Sequence, residues 1–420
     1  MRNRVLIIGA GSAGLLIAHS MKKLGIPYTV FEQDAAIDAR PRDWSFGVYW
    51  AQSRLGECLP EGIDEQFLRE NVQVDDYMAK EDFVLPFFNG GTGELMKNIP
   101  TPFSTRLQRR KFLKVLSQDM DIKYGKRLSG IKSEGDTVTA TFEDGTEEQG
   151  GLLIGCEGAH SKVRQYLLGP QKAALKPLPL LTSAAVTNLP EAIALAVRKV
   201  HLRHMNALHP HGFSGWISIQ ECSDPDPSKW VFLMIMTWRE ENIDQLDATE
   251  LVPMANLSTR PAIVDDMRRR ASAFAEPFKS FWQAIPDDAP AWHSRLSDWP
   301  TEPWDNRKGT VTLAGDAAHP MTFHRGQGLN NAISDACALL HALKDHYPSS
   351  SKGGASPFAE ALRVYENEVW ERGKEAVLSS AKNSMMLHDW KNTTQSASLR
   401  VGVAQRVVGD VGNGEAQVRA

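Results

Sequence analysis

Hydrophobic positions along the chain follow two periods. Val5, Leu6, Ile7 and Ile8 form an unbroken apolar run of buried-strand type, after which Leu15, Leu16, Ala18, Met21 and Leu24 recur with helical spacing. Gly25 and Pro27 break that helix, and Tyr28 to Phe31 read as a second strand. Residues 136–142 alternate polar and apolar, Asp144-Gly145 is a hairpin signal, and residues 152–154 and 310–314 are further apolar strands. From about residue 176 to 296 the chain turns to strands rich in large apolar residues, clearest at 216–219 and 230–238. The second of these places Phe232, Met234, Met236 and Trp238 on one face, a stripe that suits either a core or a cavity wall, and a mostly antiparallel sheet is expected. Residues 357–388 read as a long amphipathic helix through Phe358, Leu362, Tyr365, Val369, Ala376 and Leu378. The last stretch, 391–420, has no periodicity and is expected to be poorly ordered or to lie over the surface.

Composition narrows the class. Among 420 residues, 42% are hydrophobic and 23% charged, which is the balance of a globular protein. A net charge of −4 provides no broad positive field for phosphates, so nucleic acid is excluded as the main partner. The basic start Met1 to Arg4 and the apolar stretch after it imitate a signal peptide, but glycines interrupt the run. No segment approaches the roughly 18 apolar residues of a membrane span. Cys58, Cys156, Cys222 and Cys337 form no Cys-x-x-Cys pair and show no histidine at ligand spacing. Neither a disulfide framework nor a metal site is expected, and a reducing, cytoplasmic location is. No oligomeric state follows from the sequence.

The first strand and helix enclose Gly9, Gly11 and Gly14. Gly9 permits a sharp turn, Gly11 admits a diphosphate close to the backbone, and Gly14 lets helix and strand approach. Free amides at the helix start then face the phosphates. The second strand ends in Glu32, an acid suited to ribose hydroxyls. Strand, turn, helix and acid together predict dinucleotide binding, and an acid at this point favours the unphosphorylated ribose of FAD or NAD.

Two later blocks choose between them. The strand at 152–154 leads into Gly155-Cys156-Glu157-Gly158-Ala159-His160-Ser161-Lys162-Val163-Arg164. The strand at 310–314 leads into Gly315-Asp316-Ala317-Ala318-His319-Pro320, then Arg325-Gly326-Gln327-Gly328-Leu329-Asn330 and a helix containing Asp335. With these blocks the sequence resembles the single-component FAD-dependent aromatic monooxygenases of the para-hydroxybenzoate hydroxylase type, especially fungal and actinobacterial biosynthetic members, over roughly residues 1–390. The resemblance implies an α/β protein. Its FAD-binding, Rossmann-like domain of glutathione-reductase type carries an inserted, mostly antiparallel β-sheet substrate domain and C-terminal helices. Boundaries are expected at 1–175 (with small substrate-domain segments near 70–105), 176–296, 297–345, 346–390 and 391–420.

The resemblance also assigns residues. Gly9, Gly11, Gly14 and Glu32 would hold the ADP half of FAD, and Arg109, or Arg110 in the alternative register, would approach the ribityl or diphosphate part. Asp316 would bond the ribityl chain, while Gly326, Gly328, Leu329 and Asn330 would face the flavin pyrimidine edge, where helix-start amides stabilise negative charge. Arg40, Arg42 and Gly47 lie where the family approaches the flavin. Glu157 stands where the family usually carries aspartate, and Phe323 and His324 lie where it often has proline.

The implied reaction reduces FAD with NADH or NADPH, adds O₂ to form a C4a-hydroperoxyflavin, and hydroxylates or epoxidises a small, apolar aromatic or polyketide- or alkaloid-like metabolite. Tyr49, Trp216, Phe232, Met234 and Trp238 are expected to line its cavity. A neutral histidine would serve as base for a phenolic substrate. Of the run His201, His204, His209 and His211, the last two are the candidates. No second glycine cradle follows a strand, which fits a reductant expected to dock transiently. Rival readings on this fold are an oxidase or desaturase and a Baeyer–Villiger enzyme; a rival of another class is a non-catalytic FAD-binding scaffold. Trp282-Gln283-Ala284-Ile285-Pro286 imitates part of a halogenase motif but lacks its second tryptophan.

Overall fold

The computed structural model describes residues 3–39, 43–240, 259–348 and 356–402. A five-stranded parallel sheet runs in the order Val311–Leu313, Leu152–Gly155, Val5–Ile8, Tyr28–Phe31, Ile122–Lys123. Its central strands are buried on both faces, which is why they read as continuous apolar runs rather than as alternations. The helices Ser12–Lys23 and Gly328–His346 pack together, and the 29-residue helix Ala359–Leu387 packs on the latter.

A buried acid ties this last helix to the sheet. Glu366 accepts hydrogen bonds from Trp304 Nε1 (3.0 Å), Asn306 Nδ2 (2.7 Å) and Thr312 Oγ1 (2.8 Å). Among the described residues no cation pairs with it, and desolvation pushes its pKa up to about 7.

The second large sheet has seven strands, ordered Ala291–Asp298, Lys176–Asn188, Val231–Arg239, Phe213–Glu221, His204–His209, Val84–Asn89, Leu95–Pro100. Its neighbours are antiparallel except His204–His209 and Val84–Asn89, which are parallel. Helices Arg260–Ala271 and Phe278–Gln283 cover one face, where Phe232, Met234, Met236 and Trp238 join Phe213, Phe281 and Trp282 in one apolar core. Trp282, from the halogenase-like segment, is fully buried there. A two-stranded ribbon, Ser45–Val48 with Thr105–Gln108, stands between the two large sheets in sequence, and a three-stranded sheet spans 128–150.

The chain end up to residue 402 seats on the second sheet. Leu399 packs with Leu85, Phe87 and Ile99, and Lys97 Nζ donates to the Leu399 carbonyl at 2.5 Å. Residues 403–420 lie outside the described residues. Among the described residues, no helix is long and apolar enough to cross a membrane.

Candidate active site

The glycine turn shows a separate situation at each glycine. Gly9 has φ +105°, and a Cβ on it would lie 2.6 Å from the Cys156 carbonyl oxygen. A Cβ on Gly14 would meet the Gly9 carbonyl oxygen at 2.0 Å, so this glycine sets the contact of helix and turn. Gly11 has open space where a Cβ would be, and the helix it precedes has no side-chain cap and no acid in its first turn. Those amides are left for an anionic ligand. Glu32 accepts from Ala10 N at 2.8 Å and from Asp34 N at 2.9 Å, which fixes the acid while each oxygen keeps a lone pair for a further donor.

From this turn a cavity of about 1030 Å³ runs to the seven-stranded sheet, at the upper end of the roughly 300–1,000 Å³ usual for small-molecule sites. Glu157 lines it. One carboxylate oxygen accepts from Ser161 Oγ (2.9 Å) and Val163 N (2.8 Å), capping the helix Lys162–Leu168, while Oε2 is buried without a partner. Desolvation raises its pKa against the Val163 hydrogen bond. Arg164 bonds the carbonyls of Ala159, Ala173 and Ala317, and so joins this loop to the turn bearing Asp316.

Asp316 projects into the cavity from Gly315–Ala317, and desolvation raises its pKa against the pull of His319. Beneath it, Asp335 accepts from Gly315 N (2.6 Å) and Arg372 Nη2 (2.6 Å) and contacts His319 Nε2 (2.7 Å). His319 and Arg372, His319 the stronger, hold its pKa down at about 2 against the desolvation of complete burial. Arg109 begins the helix Arg109–Leu116, with its guanidinium 4.6 Å from the Trp44 ring centre, and both residues line the cavity.

The cavity-facing side of the large sheet is organised in rows. Ser294, Thr182, Thr237 and Ser214 lie directly opposite one another across four strands, forming a row of hydroxyls. The next row is Trp292, Ala184, Ile235, Trp216 and Asn206. The rows are two residues, about 7 Å, apart. All nine residues line the cavity.

A hydrogen-bonded chain leaves the hydroxyl row. Thr237 Oγ1 lies 2.7 Å from His388 Nε2 and 3.0 Å from His324 Nε2, and His324 also lines the cavity. Burial keeps both histidines neutral, with the His388 pKa lowered to about 4 and that of His324 well below its ordinary value. His388 Nδ1 faces the Ser384 carbonyl at 2.7 Å and must carry the proton there, so its Nε2 accepts from the Thr237 hydroxyl. Thr237 in turn accepts from His324 Nε2–H. His324 Nδ1 lies 2.8 Å from Ser384 Oγ, which donates to Thr322 Oγ1 at 2.7 Å.

Comparison with known proteins identifies the cradle's ligand. The FAD binding domain family matches residues 2–379. The chain belongs to that family. FAD-dependent monooxygenase cctM of Talaromyces islandicus is 47% identical over 403 residues, covering 96% of this chain and 97% of its own. FAD-dependent monooxygenase phnB of Penicillium herquei is 32% identical over 407 residues, covering 96% and 95%. Among solved structures, FqzB superposes with a TM-score of 0.73 at 16% identity, covering 94% of this chain and 88% of its own. HpxO of Klebsiella pneumoniae, complexed with FAD and uric acid, gives 0.69 at 19% identity, covering 96% and 93%.

This FAD binding domain protein is a flavin-dependent monooxygenase of the para-hydroxybenzoate hydroxylase-like class. Its cavity fits FAD on two observations: the open space over Gly11 beside uncapped helix amides, and the unpartnered Glu157 oxygen in the wall.

Of the residues anticipated for this flavoenzyme's cofactor, Gly9, Gly11, Glu32, Gly47, Arg109, Glu157, Asp316, Gly326, Gly328 and Leu329 all line the one cavity. Gly14 and Asn330 do not. Gly14 is a packing residue, and Asn330 accepts from Tyr49 N (2.9 Å) while donating to the Gly47 (2.9 Å) and Gly326 (3.1 Å) carbonyls, stapling two lining segments together. Arg40 and Arg42 lie outside the described residues.

The substrate-side expectations divide. Tyr49 and Trp216 line the cavity; Phe232, Met234 and Trp238 do not, because strand parity turns them into the core behind the sheet and leaves Leu233, Ile235 and Thr237 on the cavity side. His209 and His211 are also corrected. His209 is buried between Phe213 and Phe274 with Nε2 3.0 Å from the Ala273 carbonyl, and His211 is exposed beyond the strand; neither lines the cavity. His201 and His204 do not line it either.

Sequence reasoning did not find Thr237, His388 or Arg106 as site residues. Thr237 was visible as the polar member of the otherwise apolar run Val231 to Trp238, whereas His388, at the end of a helix, carries no local signal. The cysteines also differ from expectation, because Cys337 and His341 are one helical turn apart. Cys337 Sγ lies 3.8 Å from His341 Nε2, which lies 2.6 Å from Glu57 Oε2, and Cys58 packs against Cys337. This group lies outside the cavity lining.

Proposed function

We propose that the enzyme uses NADH or NADPH and O₂ to hydroxylate or epoxidise an aromatic, polyketide- or alkaloid-like metabolite in the cytoplasm. Bound FAD supplies the oxygen-activating chemistry. The reading rests chiefly on one observation: the glycine cradle and the Thr237–His324–His388 chain open into the same cavity.

In this reading Gly11 and the helix-start amides receive the diphosphate, Glu32 the ribose, and Asp316 and Arg109 the chain between diphosphate and ring. The substrate ring lies against Trp216, Ile235 and Trp292, with its polar substituents on the hydroxyl row. Thr182 Oγ1, buried without a partner, suits one of them. The phenolic oxygen would lie against the hydroxyl row, where Thr237 and neutral His324 would hold it and take up its proton, with His388 fixing the Thr237 hydroxyl. Loss of that proton makes the ring more nucleophilic, and the apolar row excludes water from it. The cytoplasmic assignment is supported by four thiols, none in a disulfide.

The test is direct. Purified protein should be yellow, NADH or NADPH should bleach it, and O₂ should restore the colour. A substrate found by its stimulation of reductant oxidation should gain one oxygen atom from labelled O₂. Product without the label would exclude monooxygenation and favour the oxidase or desaturase reading.

A further inference from the structure

Arg106 is a buried cation without a matching anion. It stands on the ribbon directly opposite Gly47, is only 6% exposed and lines the cavity beside Trp216, whose ring centre lies 5.0 Å from its guanidinium carbon. Its Nη2 donates to the Ser45 carbonyl at 3.2 Å, and its Nε donates to nothing. Among the described residues no carboxylate forms an ion pair with it. The nearby acid Asp75 is taken by Arg203, which grips both of its oxygens and is itself fully buried. The Tyr49 hydroxyl faces Arg106, but it is neutral, because burial raises its pKa.

A guanidinium removed from water costs several kcal/mol unless a negative group and further hydrogen bonds offset it. The neighbouring protein meets that need for Arg203 and leaves Arg106 short of it. With the described residues supplying no anion, the cavity that Arg106 lines is the place for one. We infer that Arg106 anchors an acidic oxygen of the substrate, a carboxylate or an ionised phenol or enol, and so selects acidic aromatic substrates over neutral ones of the same shape. This rests on the monooxygenase reading and sharpens its substrate class.

The geometry gives the anchor a positional meaning. Trp216 belongs to the apolar row and Thr237 to the hydroxyl row, about 7 Å apart along the strands. A substrate held at Arg106 presents a different part of itself to His324, so the anchored oxygen and the oxygen that loses its proton are separate groups. Arg106 is on this account a substrate-binding residue and not the base.

The experiment uses FAD-loaded enzyme and two probes, 3-hydroxy-2-naphthoate and its methyl ester, with binding read from perturbation of the flavin absorbance. Wild-type enzyme should bind the acid about tenfold or more tightly than the ester, the scale of one charge-assisted hydrogen bond. Arg106→Gln should abolish that preference while retaining FAD, and Arg106→Lys should keep part of it. Arg106→Met, which preserves packing on Trp216, should behave like Arg106→Gln. Equal binding of acid and ester by wild type, binding of neither, or a preference that survives in both Arg106→Gln and Arg106→Met would overturn the anchor. Loss of FAD from both Arg106→Gln and Arg106→Met would overturn it too, and assign Arg106 to the cofactor. An enzyme that bleaches, recolours and incorporates oxygen yet binds acid and ester alike keeps the monooxygenase reading and loses the anchor. One that prefers the acid but never incorporates oxygen does the reverse.

Discussion

The two ends of the cavity are built on sheets of opposite kind, and they reveal their function to different degrees. At the cradle, the parallel strands are buried on both faces, so side chains carry little of the recognition and the backbone carries most. Gly9 and Gly14 each answer a separate steric demand, while Gly11 leaves open space beside the helix-start amides. At the substrate end, one face of an antiparallel sheet is core and the other is cavity wall, and both contain large apolar residues. Backbone demands leave a spacing signature in sequence, whereas the choice between two apolar faces leaves almost none.

The sharpest way to break this contrast is to add one carbon at the cradle. Gly14→Ala places a Cβ 2.0 Å from the Gly9 carbonyl oxygen and should cost about 3 kcal/mol or more, read as loss of folded, FAD-loaded protein. Gly11→Ala, where φ is −77° and nothing lies within 4 Å, should fold normally and weaken FAD binding by about 1.4 kcal/mol, or tenfold in Kd. Similar losses of fold in both would mean that the turn is merely structural.

At the other end the largest effect should fall on chemistry. His324→Ala should slow oxygen transfer by about 10²–10⁴-fold, measured as product per enzyme per second, with much less effect on bleaching by reductant. The two faces of the strand Val231–Arg239 should then separate. Met234→Ala empties core and should lower unfolding free energy by about 2–5 kcal/mol with KM unchanged. Ile235→Ala should instead raise KM with a smaller stability loss, and the opposite assignment would restore the parity expected from sequence.

Glu366 gives a smaller, pH-dependent effect in the cofactor half. Its folded pKa of about 7 lies above its ordinary 4.5, so the folded state holds a proton that the unfolded state releases between those values. Stability should therefore fall as pH rises from about 4.5 to 7, by up to about 3 kcal/mol, and level off above. Denaturant titrations across that window should show the slope flattened in Glu366→Gln. Least affected of all should be turnover in His209→Ala and His211→Ala, which stays within about twofold of wild type, although His209→Ala loses about 1 kcal/mol with its hydrogen bond to Ala273.

Much of the fold was legible in the chain. The strands at residues 5–8, 28–31 and 152–155 and the long helix ending at Leu387 follow from periodicity, and the FAD-facing turns from glycine and acid spacing. The histidine run at 201–211 misled because residue type was read without parity: the strand His204–His209 turns Asn206 to the cavity and His209 into the core. His324 is separated from His388 by 64 positions and from Thr237 by 87, and only tertiary packing brings the three together. Arg106 reads as an ordinary basic residue on a short strand until the absence of a paired acid is seen in three dimensions.

The central claim is that the cavity joins the cofactor cradle to a proton chain serving oxygen transfer. The most direct test is the yield of labelled product per NADH or NADPH oxidised under labelled O₂, comparing wild type with Thr237→Val. The account predicts bleaching within about twofold of wild type but at least a tenfold lower product yield. An unchanged yield would contradict it.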